Sequence, residues 1–504
     1  MEAMAQFPDI EANYLLLPIF LLPLLYLIFK QWKYPFATKS PPIPPGPTPW
    51  PVLGNIPHMG RLPHVTLCNF AQTYGPLICL KLGTQYTVVG SSPAAAIEIL
   101  KTHDRSLSAR YVPKVVPARQ EELNRSSIGW TEVCNDGWKY LRTLCRTELF
   151  SVRALDNQSC LREKKISDMV EHLRAKKEGQ VVDIGELVFA TIFNMLSNVM
   201  VSRDLIGLEE ESAGEGMKSL VRTVMEVATA PNVSDFYPLL CKLDLQGLRK
   251  KSTNLGIKIR AAWEPIIEER RRQGAPLTLS QEDFLDTLLQ NNFTNERIHQ
   301  LLMELFTAGT DTSTSTIEWA MAELVKNPES MMKVREELGR EINQDLPKES
   351  HLMQLPYLQA CIKETFRLHP PAPLLLPHRA PEACQVMNYT IPKNAQVLVN
   401  VWAIGRDPGI WDEPLKFKPE RFLSCSLDYK GNDFELLPFG SGRRICPGLP
   451  MAARHVPLVL ASLIHCFDWS LPEGKDPQQL DMNEKFGVTL EKEQPLLLIP
   501  KARS

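Results

Sequence analysis

The sequence predicts a mainly α-helical fold of the α+β class, with small β-sheets and an N-terminal transmembrane helix. An uncharged run rich in Leu, Ile and Phe occupies residues 14–29. Beyond Pro93 the spacing of apolar residues is mostly helical for a long distance. Short strand-like segments occur at residues 77–82, 86–89, 396–400 and 496–500.

The apolar run at residues 14–29 is the predicted membrane anchor. Its 16 residues fall a little short of the roughly 20 that span a bilayer. Ala12 and Asn13, together with the interfacial aromatic residues Trp32 and Tyr34, extend the run to membrane scale. We therefore expect a single-pass membrane anchor.

The charges around this run favour an uncleaved anchor with the body of the protein in the cytoplasm. A cleaved signal peptide would begin with basic residues, but the preceding segment carries only the acidic Glu2, Asp9 and Glu11. Positive charge marks the cytoplasmic side of a span, and three lysines follow the run. They are Lys30, Lys33 and Lys39. The alternative is a soluble protein in which the run is a buried core helix.

A proline-rich segment from Pro41 to Pro47 follows the anchor. Such a sequence favours a semi-rigid polyproline conformation, so it predicts a joint between anchor and body. No second linker is evident further along the chain. We therefore divide the chain into a membrane anchor at 1–34, a linker at 35–50 and one catalytic domain at 51–504.

The composition excludes several classes of protein. The formal net charge of the 504-residue chain is -2, so the basic footprint of a nucleic-acid-binding protein is missing. The 11 cysteines are odd in number and form no CxxC pair. This argues against a disulfide framework and against a zinc ribbon, and it favours reduced cysteines in a reducing compartment.

The strongest chemical signal lies between Phe439 and Gly448, where the chain reads Phe-Gly-Ser-Gly-Arg-Arg-Ile-Cys-Pro-Gly. A thiolate that binds haem iron needs small neighbours, because its sulfur must approach a flat macrocycle, and it needs backbone amides aimed at the sulfur. Gly442 and Gly448 permit this approach, and Arg444 supplies a cation for the haem propionates. Cys446 supplies the sulfur, which pushes electron density toward bound oxygen.

This segment resembles the haem signature of the cytochrome P-450 family, FxxGxRxCxG, at every fixed position. The resemblance extends over essentially the whole chain, because other motifs of the family follow in the expected order. It implies the cytochrome P-450 fold and haem b, with Cys446 as the axial ligand of the iron and Phe439 and Gly442 beside it. It also implies dioxygen as co-substrate and NADPH as the electron source, through NADPH–cytochrome P-450 reductase.

Residues 308–313, Ala-Gly-Thr-Asp-Thr-Ser, resemble the oxygen-activation motif of the family's central helix, which we predict over residues 298–326. The small Ala-Gly pair leaves room for dioxygen and weakens the helix locally. Asp311 can pass protons inward and Thr312 can hydrogen-bond the bound oxygen, so both are candidate catalytic residues. Taken alone, the pattern equally fits a helix whose hydroxyls bond to its own carbonyls.

Four further residues are implied as contacts of the haem propionates. Trp138 and Arg142 match the family's WxxxR motif, and their spacing places them on one helical face. Arg110 and His378 lie where members of the family place similar contacts. A solvated arginine and a core histidine are the alternatives for these two.

Glu364 and Arg367 match the family's ExxR motif and lie three residues apart on one predicted helical face. By themselves they would be read as an exposed salt bridge. The resemblance implies that they join Arg421, in the Pro-Glu-Arg-Phe element at 419–422, and that the role of all three is structural.

The proline-rich segment and residues 400–408 and 486–490 resemble plant A-type members of the family. Residues 310–320 are most similar to the branch that oxidises benzylisoquinoline and related alkaloids. Members of that branch hydroxylate an aromatic ring or couple two phenols, and the sequence leaves this choice open. The implied pocket is largely apolar, which suits a small aromatic substrate. Its residues are Leu305, Ala308, Leu374, Leu375 and Val488, with the segment 119–128, in which Glu121 and Glu122 are candidates to pair a protonated amine.

Other functions remain open at this stage. They are an oxygenase of another aromatic or terpenoid substrate, a haem isomerase that needs no reductase, and a non-catalytic membrane scaffold. Asp311 and Thr312 are present, which favours oxygen chemistry over isomerisation. Lys139 and Arg146 are candidates for a basic patch that docks the acidic reductase, although a merely solvated face is also consistent with them.

Overall fold

The computed structural model describes residues 41–116, 124, 126–208, 215–273, 282–343 and 345–503. The predicted anchor at 1–34 lies outside the described residues. So do Glu121 and Glu122 and most of the segment 119–128.

Helices dominate the described chain, as the sequence predicts. Those of ten residues or more are α1 (Pro63–Tyr74), α2 (Asp136–Cys145), α3 (Ser159–Ala175), α4 (Ile184–Val201), α5 (Glu215–Thr229), α6 (Leu248–Gln273), α7 (Asn295–Lys326), α8 (Pro328–Ile342), α9 (Pro356–Leu368) and α10 (Leu449–Cys466). Shorter α-helices are Pro93–Ile97, Asp104–Leu107, Val152–Asn157, Val233–Phe236, Phe284–Gln290 and Val401–Ile404.

The strands are short and form small sheets. They are β1 (Leu77–Leu82), β2 (Gln85–Gly90), β3 (Ala109–Arg110), β4 (Val182–Asp183), β5 (His378–Arg379), β6 (Cys384–Val386), β7 (Tyr389–Ile391), β8 (Gln396–Val399), β9 (Phe467–Ser470), β10 (Glu484–Lys485), β11 (Glu491–Lys492) and β12 (Leu497–Ala502). The largest sheet has the order β1-β2-β8-β5-β3. Its β1–β2 pair is the predicted hairpin, and β2 pairs in parallel with β8.

The long helix α7 forms the axis of the fold. The hydroxyl of Thr294 accepts a hydrogen bond from the Arg297 amide and caps its start. The helix ends just before Pro328, which has no amide hydrogen to continue the ladder. Phe306 of α7 packs against Trp263 of α6 and Phe193 of α4, with ring centroids 5.0 and 4.8 Å apart. Aromatic contacts of this kind anchor the main core around α7.

The Gly309 backbone allows α4 to approach α7 closely. A Cβ at this position would lie 2.9 Å from Cδ1 of Leu196, which is too close for an ordinary contact. The helix is nevertheless continuous across this residue. In this structure the glycine therefore permits close helix packing, and the local opening expected from the sequence is not observed.

The proline-rich segment is hydrogen-bonded to the body. The carbonyl of Pro45 accepts from the Cys79 amide of β1 at 2.9 Å, and that of Pro42 accepts from the Thr390 amide of β7 at 2.8 Å. Gly46 is needed there, because a Cβ would overlap the carbonyl oxygen of Cys79. This part of the expected linker is therefore attached to the edge of two sheets instead of forming a free spacer.

Two helices of the described chain are long and apolar enough to cross a membrane, α4 and α10. Both are core helices, because most of their residues are buried against the rest of the protein. All eleven cysteines are unpaired. This agrees with the expectation that the chain contains no disulfide framework.

Candidate active site

The loop that carries Cys446 is shaped by its glycines. Gly442 has a φ of +68°, and a Cβ there would overlap the carbonyl oxygen of Leu100. The Cys446 amide donates to the carbonyl of Phe439 at 3.0 Å, which closes the loop. Phe439 packs edge-on against Phe366 of α9, with centroids 5.4 Å apart. The sequence therefore folds the loop tightly and fixes it on α9.

The sulfur of Cys446 lies at the N-terminus of α10. Burial raises the pKa of the Cys446 thiol, while hydrogen bonds from the Gly448 and Leu449 amides and the charge of Arg142 act in the opposite direction. Free amides and the dipole at a helix N-terminus favour a thiolate. The Cys446 side chain is exposed, although its neighbours Ser441 and Arg444 are buried. These features suit a thiolate that binds a metal, because a metal deprotonates its thiol ligand.

Three arginines and a histidine converge near this loop. The guanidinium groups of Arg142 and Arg444 lie 5.4 and 4.8 Å from the centre of the Trp138 ring. Burial, and then the charge of Arg444, lower the pKa of Arg110 to about 9. Burial and the charge of Arg110 also hold the pKa of His378 well below its usual value. The charge of each cation therefore makes the protonated form of its neighbours less favourable.

Backbone carbonyls hold these arginines in place. Arg444 donates to the carbonyls of Ser108, Ile128 and Thr131, at 2.8, 3.2 and 2.6 Å. Arg110 donates to those of Gly129 and Leu376, at 3.1 and 2.8 Å, and Arg142 to that of Ile445 at 2.6 Å. The indole of Trp138 donates to the Ile128 carbonyl at 2.9 Å. The three guanidinium groups, which we call the arginine cluster, are thus preorganised.

The arginine cluster fits a group that carries two carboxylates. Among the residues that the structure describes, no Asp or Glu makes an ion pair with Arg110, Arg142 or Arg444. Buried cations without counter-ions are costly, so a dianionic group is the natural occupant. Together with the accessible sulfur of Cys446, these residues fit a haem, whose iron takes an axial thiolate and whose propionates need cations.

The predicted proton-transfer residues lie in the middle of α7. Asp311 is buried, and burial followed by the charge of Glu491 raises its pKa to about 7. Such an acid exchanges its proton readily near neutral pH. The Thr312 hydroxyl donates to the Ala308 carbonyl at 2.7 Å, which is the local bond that the sequence left as an alternative. Its oxygen can still accept a hydrogen bond in this conformation.

The predicted substrate contacts are spread over three elements. Ala308 is accessible on α7, whereas Leu305 is buried in the main core beside it. Leu375 has a φ of +52° and lies against Gly440, where a Cβ would be 3.6 Å from its Cδ1. Leu374 belongs to a smaller cluster with Phe486, and Val488 is half-buried in the following segment. The structure assigns no ligand to any of them.

The ExxR residues form a buried ion network. Glu364 receives bonds from Nε and a terminal nitrogen of Arg367 at 2.7 and 2.8 Å, and from Nε of Arg421 at 3.0 Å. Arg367 also donates to the carbonyls of Gly405 and Pro414, both at 2.6 Å. The network therefore ties α9 to the segment that precedes the cysteine loop.

One buried carboxylate near the arginine cluster escaped the sequence analysis. Glu304 of α7 accepts hydrogen bonds from the amides of Ile128 and Gly129. Its spacing of four residues from Ala308, and eight from Thr312, places all three on one helical face. That spacing could have identified it, but its partners are backbone groups that sequence patterns do not report.

Comparison with known proteins agrees with this geometry. A sequence model of the cytochrome P-450 family matches residues 44–499. The probable (S)-N-methylcoclaurine 3'-hydroxylase isozyme 2 of Coptis japonica is 51% identical over 92% of this chain and 94% of its own length. Corytuberine synthase of the same plant is 48% identical with the same coverage. Geraniol 8-hydroxylase of Swertia mussotii is 44% identical over 92% and 94% of the two chains.

Proposed function

This chain belongs to the cytochrome P-450 family of haem-thiolate monooxygenases, and we propose that it oxidises a benzylisoquinoline-type alkaloid in plant specialised metabolism. The oxygenase chemistry rests on the accessible Cys446 sulfur at the N-terminus of α10, next to the arginine cluster. The substrate class rests on relatives that are named for N-methylcoclaurine and corytuberine.

We propose that haem b would be held by Cys446 as the ligand of its iron and by Arg110, Arg142 and Arg444 at its propionates. His378 would join them when a nearby propionate favours its protonated form, because its Nδ1 already lies 2.6 Å from the Leu107 carbonyl. When bound, the haem supplies dioxygen activation with electrons from a reductase. The protein supplies the rest. The loop glycines bring the sulfur close, the amides of Gly448 and Leu449 stabilise its charge, and the carbonyls around Arg444 orient the cations.

Proton delivery is the proposed role of Asp311 and Thr312. With a pKa of about 7, Asp311 can take a proton from solvent and release it toward the site at neutral pH. Thr312 lies next in sequence. Once its hydroxyl turns away from the Ala308 carbonyl, its oxygen can accept a hydrogen bond from the proton donor while its own hydrogen passes toward the site, so that Thr312 stays neutral. A substrate bound over Ala308 would then lie next to the place where a bound haem would activate dioxygen.

Electrons and membrane attachment complete the proposal. We propose that NADPH–cytochrome P-450 reductase supplies the electrons and docks near Lys139 of α2 and Arg146, which directly follows α2; both side chains are exposed. We also propose that residues 1–34 form a single-pass anchor in the endoplasmic reticulum, with the catalytic domain in the cytoplasm. Membrane fractionation of the full chain, and of a variant that begins at Pro41, tests the anchor.

Product analysis tests the reaction. Microsomes that contain the chain, the reductase and NADPH are offered tetrahydrobenzylisoquinolines under labelled dioxygen. A product one labelled oxygen heavier indicates hydroxylation, and an unlabelled product two hydrogens lighter indicates phenol coupling. The haem ligand is tested by the carbon-monoxide difference band of thiolate-ligated haem. Cys446→Ala should abolish the band, whereas Cys68→Ala, at a half-buried thiol elsewhere, should keep it.

A second candidate substrate class is favoured by one relative. Geraniol 8-hydroxylase matches this chain nearly as well as the alkaloid enzymes do, so geraniol belongs in the substrate panel. Turnover of geraniol alone would replace the alkaloid proposal. Turnover without reductase would instead indicate a haem isomerase, and a haem-loaded chain without any turnover would indicate a scaffold.

A further inference from the structure

The inference concerns Glu304, a carboxylate that the proposed chemistry does not use. Between Leu301 and Val325, α7 is buried except at four residues, which are Glu304, Ala308, Gly309 and Thr312. Residues four apart on a helix lie on one face, so Glu304 shares the accessible face of α7 with the residues of the proposed oxygen site. At 1.5 Å per residue it lies about 12 Å along the helix axis from Thr312.

The contacts of Glu304 lead to the arginine cluster. Its Oε1 accepts from the amide of Ile128 at 3.0 Å and from the amide of Gly129. The carbonyls of the same two residues accept from Arg444 at 3.2 Å and from Arg110 at 3.1 Å. The peptide unit between Ile128 and Gly129 therefore donates to the Glu304 carboxylate through its N–H and accepts from the Arg444 guanidinium through its C=O, and both partners polarise it in the same sense. The two neighbouring peptide units each have one of these contacts, to Glu304 and to Arg110.

The charges around these peptides also balance. The arginine cluster carries three positive charges, and the two propionates of a haem would leave one of them uncompensated. A single additional carboxylate neutralises the set, and Glu304 supplies it. Burial raises the pKa of Glu304, but the Ser127 hydroxyl, the two amides and the charge of Arg444 all favour its ionised form. Glu304 in turn favours the charged forms of Arg110 and Arg444.

We propose that Glu304 is the internal counter-ion of the arginine cluster and the positioning residue that fixes residues 127–129 against α7. It holds the peptides on which Arg110 and Arg444 rest, and its charge adds to the field at the haem. This inference rests on the proposed haem site. It adds a residue that acts on the cofactor through the arginines and makes no contact with the reacting atoms.

The test compares Glu304→Gln with Glu318→Gln in the full chain loaded with haem. Glu318 is a buried carboxylate of the same helix that accepts from the Leu496 amide and makes no contact with the arginines. Burial raises the pKa of Glu318 to about 7, so it is a matched control above that pH, where it is ionised, and the measurements are made there. Loss of a negative charge near the iron favours the reduced state. We expect Glu304→Gln to raise the reduction equilibrium constant on the order of tenfold, which is about 59 mV for one electron. Glu318→Gln should leave it close to wild type.

Two further readouts separate charge from structure. Amide hydrogen exchange at Ile128 and Gly129 should accelerate about tenfold in Glu304→Gln, because a neutral amide oxygen accepts more weakly than a carboxylate. Glu304→Asp keeps the charge but shortens the side chain. It should therefore retain the wild-type potential while the exchange at 128–129 still accelerates. This second variant keeps the inference testable if Glu304→Gln folds poorly.

The outcomes are distinct. A wild-type chain without the thiolate band contradicts the proposed haem site itself. A normal thiolate band together with an unchanged reduction potential in Glu304→Gln overturns the assignment of Glu304 as counter-ion. If Glu304→Gln weakens only the binding of protonated amine substrates, while neutral ligands and the potential are unaffected, Glu304 is a substrate contact and the inference is overturned as well.

Discussion

Removing the charge of Glu364 should destabilise the protein far more than removing an exposed carboxylate. Neither Glu364 nor Arg367 has any exposed side-chain surface. Glu364 receives two bonds from Arg367, one from Arg421 and one from the Lys418 amide, at 2.7 to 3.0 Å. In Glu364→Gln, an amide NH₂ would face donors that cannot accept from it. Breaking a buried pair from one side costs about 3–5 kcal/mol, because a buried charge is left uncompensated.

The contacts of Arg367 place the expected loss at the lower end of this range. Its guanidinium keeps the carbonyls of Gly405, Pro414 and Lys416, at 2.6, 2.6 and 3.1 Å, which still solvate the charge in the variant. We therefore expect a loss of about 3 kcal/mol in Glu364→Gln. The free energy of unfolding is measured by urea titration of the haem-loaded chain, with tryptophan fluorescence and the thiolate band as two probes.

The control is Glu382→Gln, at an exposed ion pair. Lys393 lies 2.9 Å from Glu382, but the two side chains are 57% and 78% exposed. Such pairs contribute at most about 1 kcal/mol. If the two variants lose stability equally, the buried network does not hold α9, and the reasoning is refuted. A loss in Glu364→Gln confined to the thiolate band would instead restrict the role of the network to the haem side.

Three other predictions follow from the site. Thr312→Val, which removes the hydroxyl, should lower the amount of product formed per NADPH oxidised by at least about tenfold, whereas Thr312→Ser should keep the wild-type ratio. Mass spectrometry of the product and the rate of NADPH oxidation give this ratio. Asp311 has a pKa raised from 3.8 to about 7, so the folded state keeps a proton that the unfolded chain loses, and stability falls as pH rises through that range. Asp311→Asn should therefore be more stable than wild type by roughly 4 kcal/mol at pH 8 and nearly equal to it near pH 4, and it should turn over more slowly. An equal difference in stability at both pH values contradicts the assignment. Gly442→Ala should reduce haem incorporation, measured as pyridine haemochrome content, because its Cβ overlaps the carbonyl oxygen of Leu100. Gly256→Ala, at a position in α6 with open space around it, should instead gain up to about 1 kcal/mol in the free energy of unfolding, measured by urea titration.

Local chemistry made part of the fold predictable from sequence. The β1–β2 hairpin follows from two short, largely apolar runs on either side of Gly83, whose φ is +61°. Helix α7 begins three residues before the predicted Ile298, because the Thr294 hydroxyl caps the helix one turn earlier. Strands β3 and β5 have only two residues each. These two strands pair with each other although they are far apart in the chain, so no local sequence pattern predicts them.

The same division applies to the site. The motif around Cys446 is specific, since glycines, arginine and cysteine all occur at fixed spacing. The motif does not predict the hydrogen-bond partners of Arg444, because these are the backbone carbonyls of Ser108, Ile128 and Thr131. Backbone carbonyls are present at every residue and leave no mark on composition or periodicity. For the same reason the partners of Glu304, which include the amides of Ile128 and Gly129, can be identified only in the folded chain.

The arginine cluster has a consequence for how much active protein a cell can accumulate. Until haem arrives, the three guanidinium groups are held near one another with Glu304 as the one proposed counter-ion, and the remaining positive charge opposes completion of the fold. A ligand that binds only the native state stabilises it by mass action, in proportion to the logarithm of its free concentration. Synthesis of this chain is therefore linked to haem supply. Molecules that are translated when haem is scarce should be removed by proteolysis before they can turn over substrate.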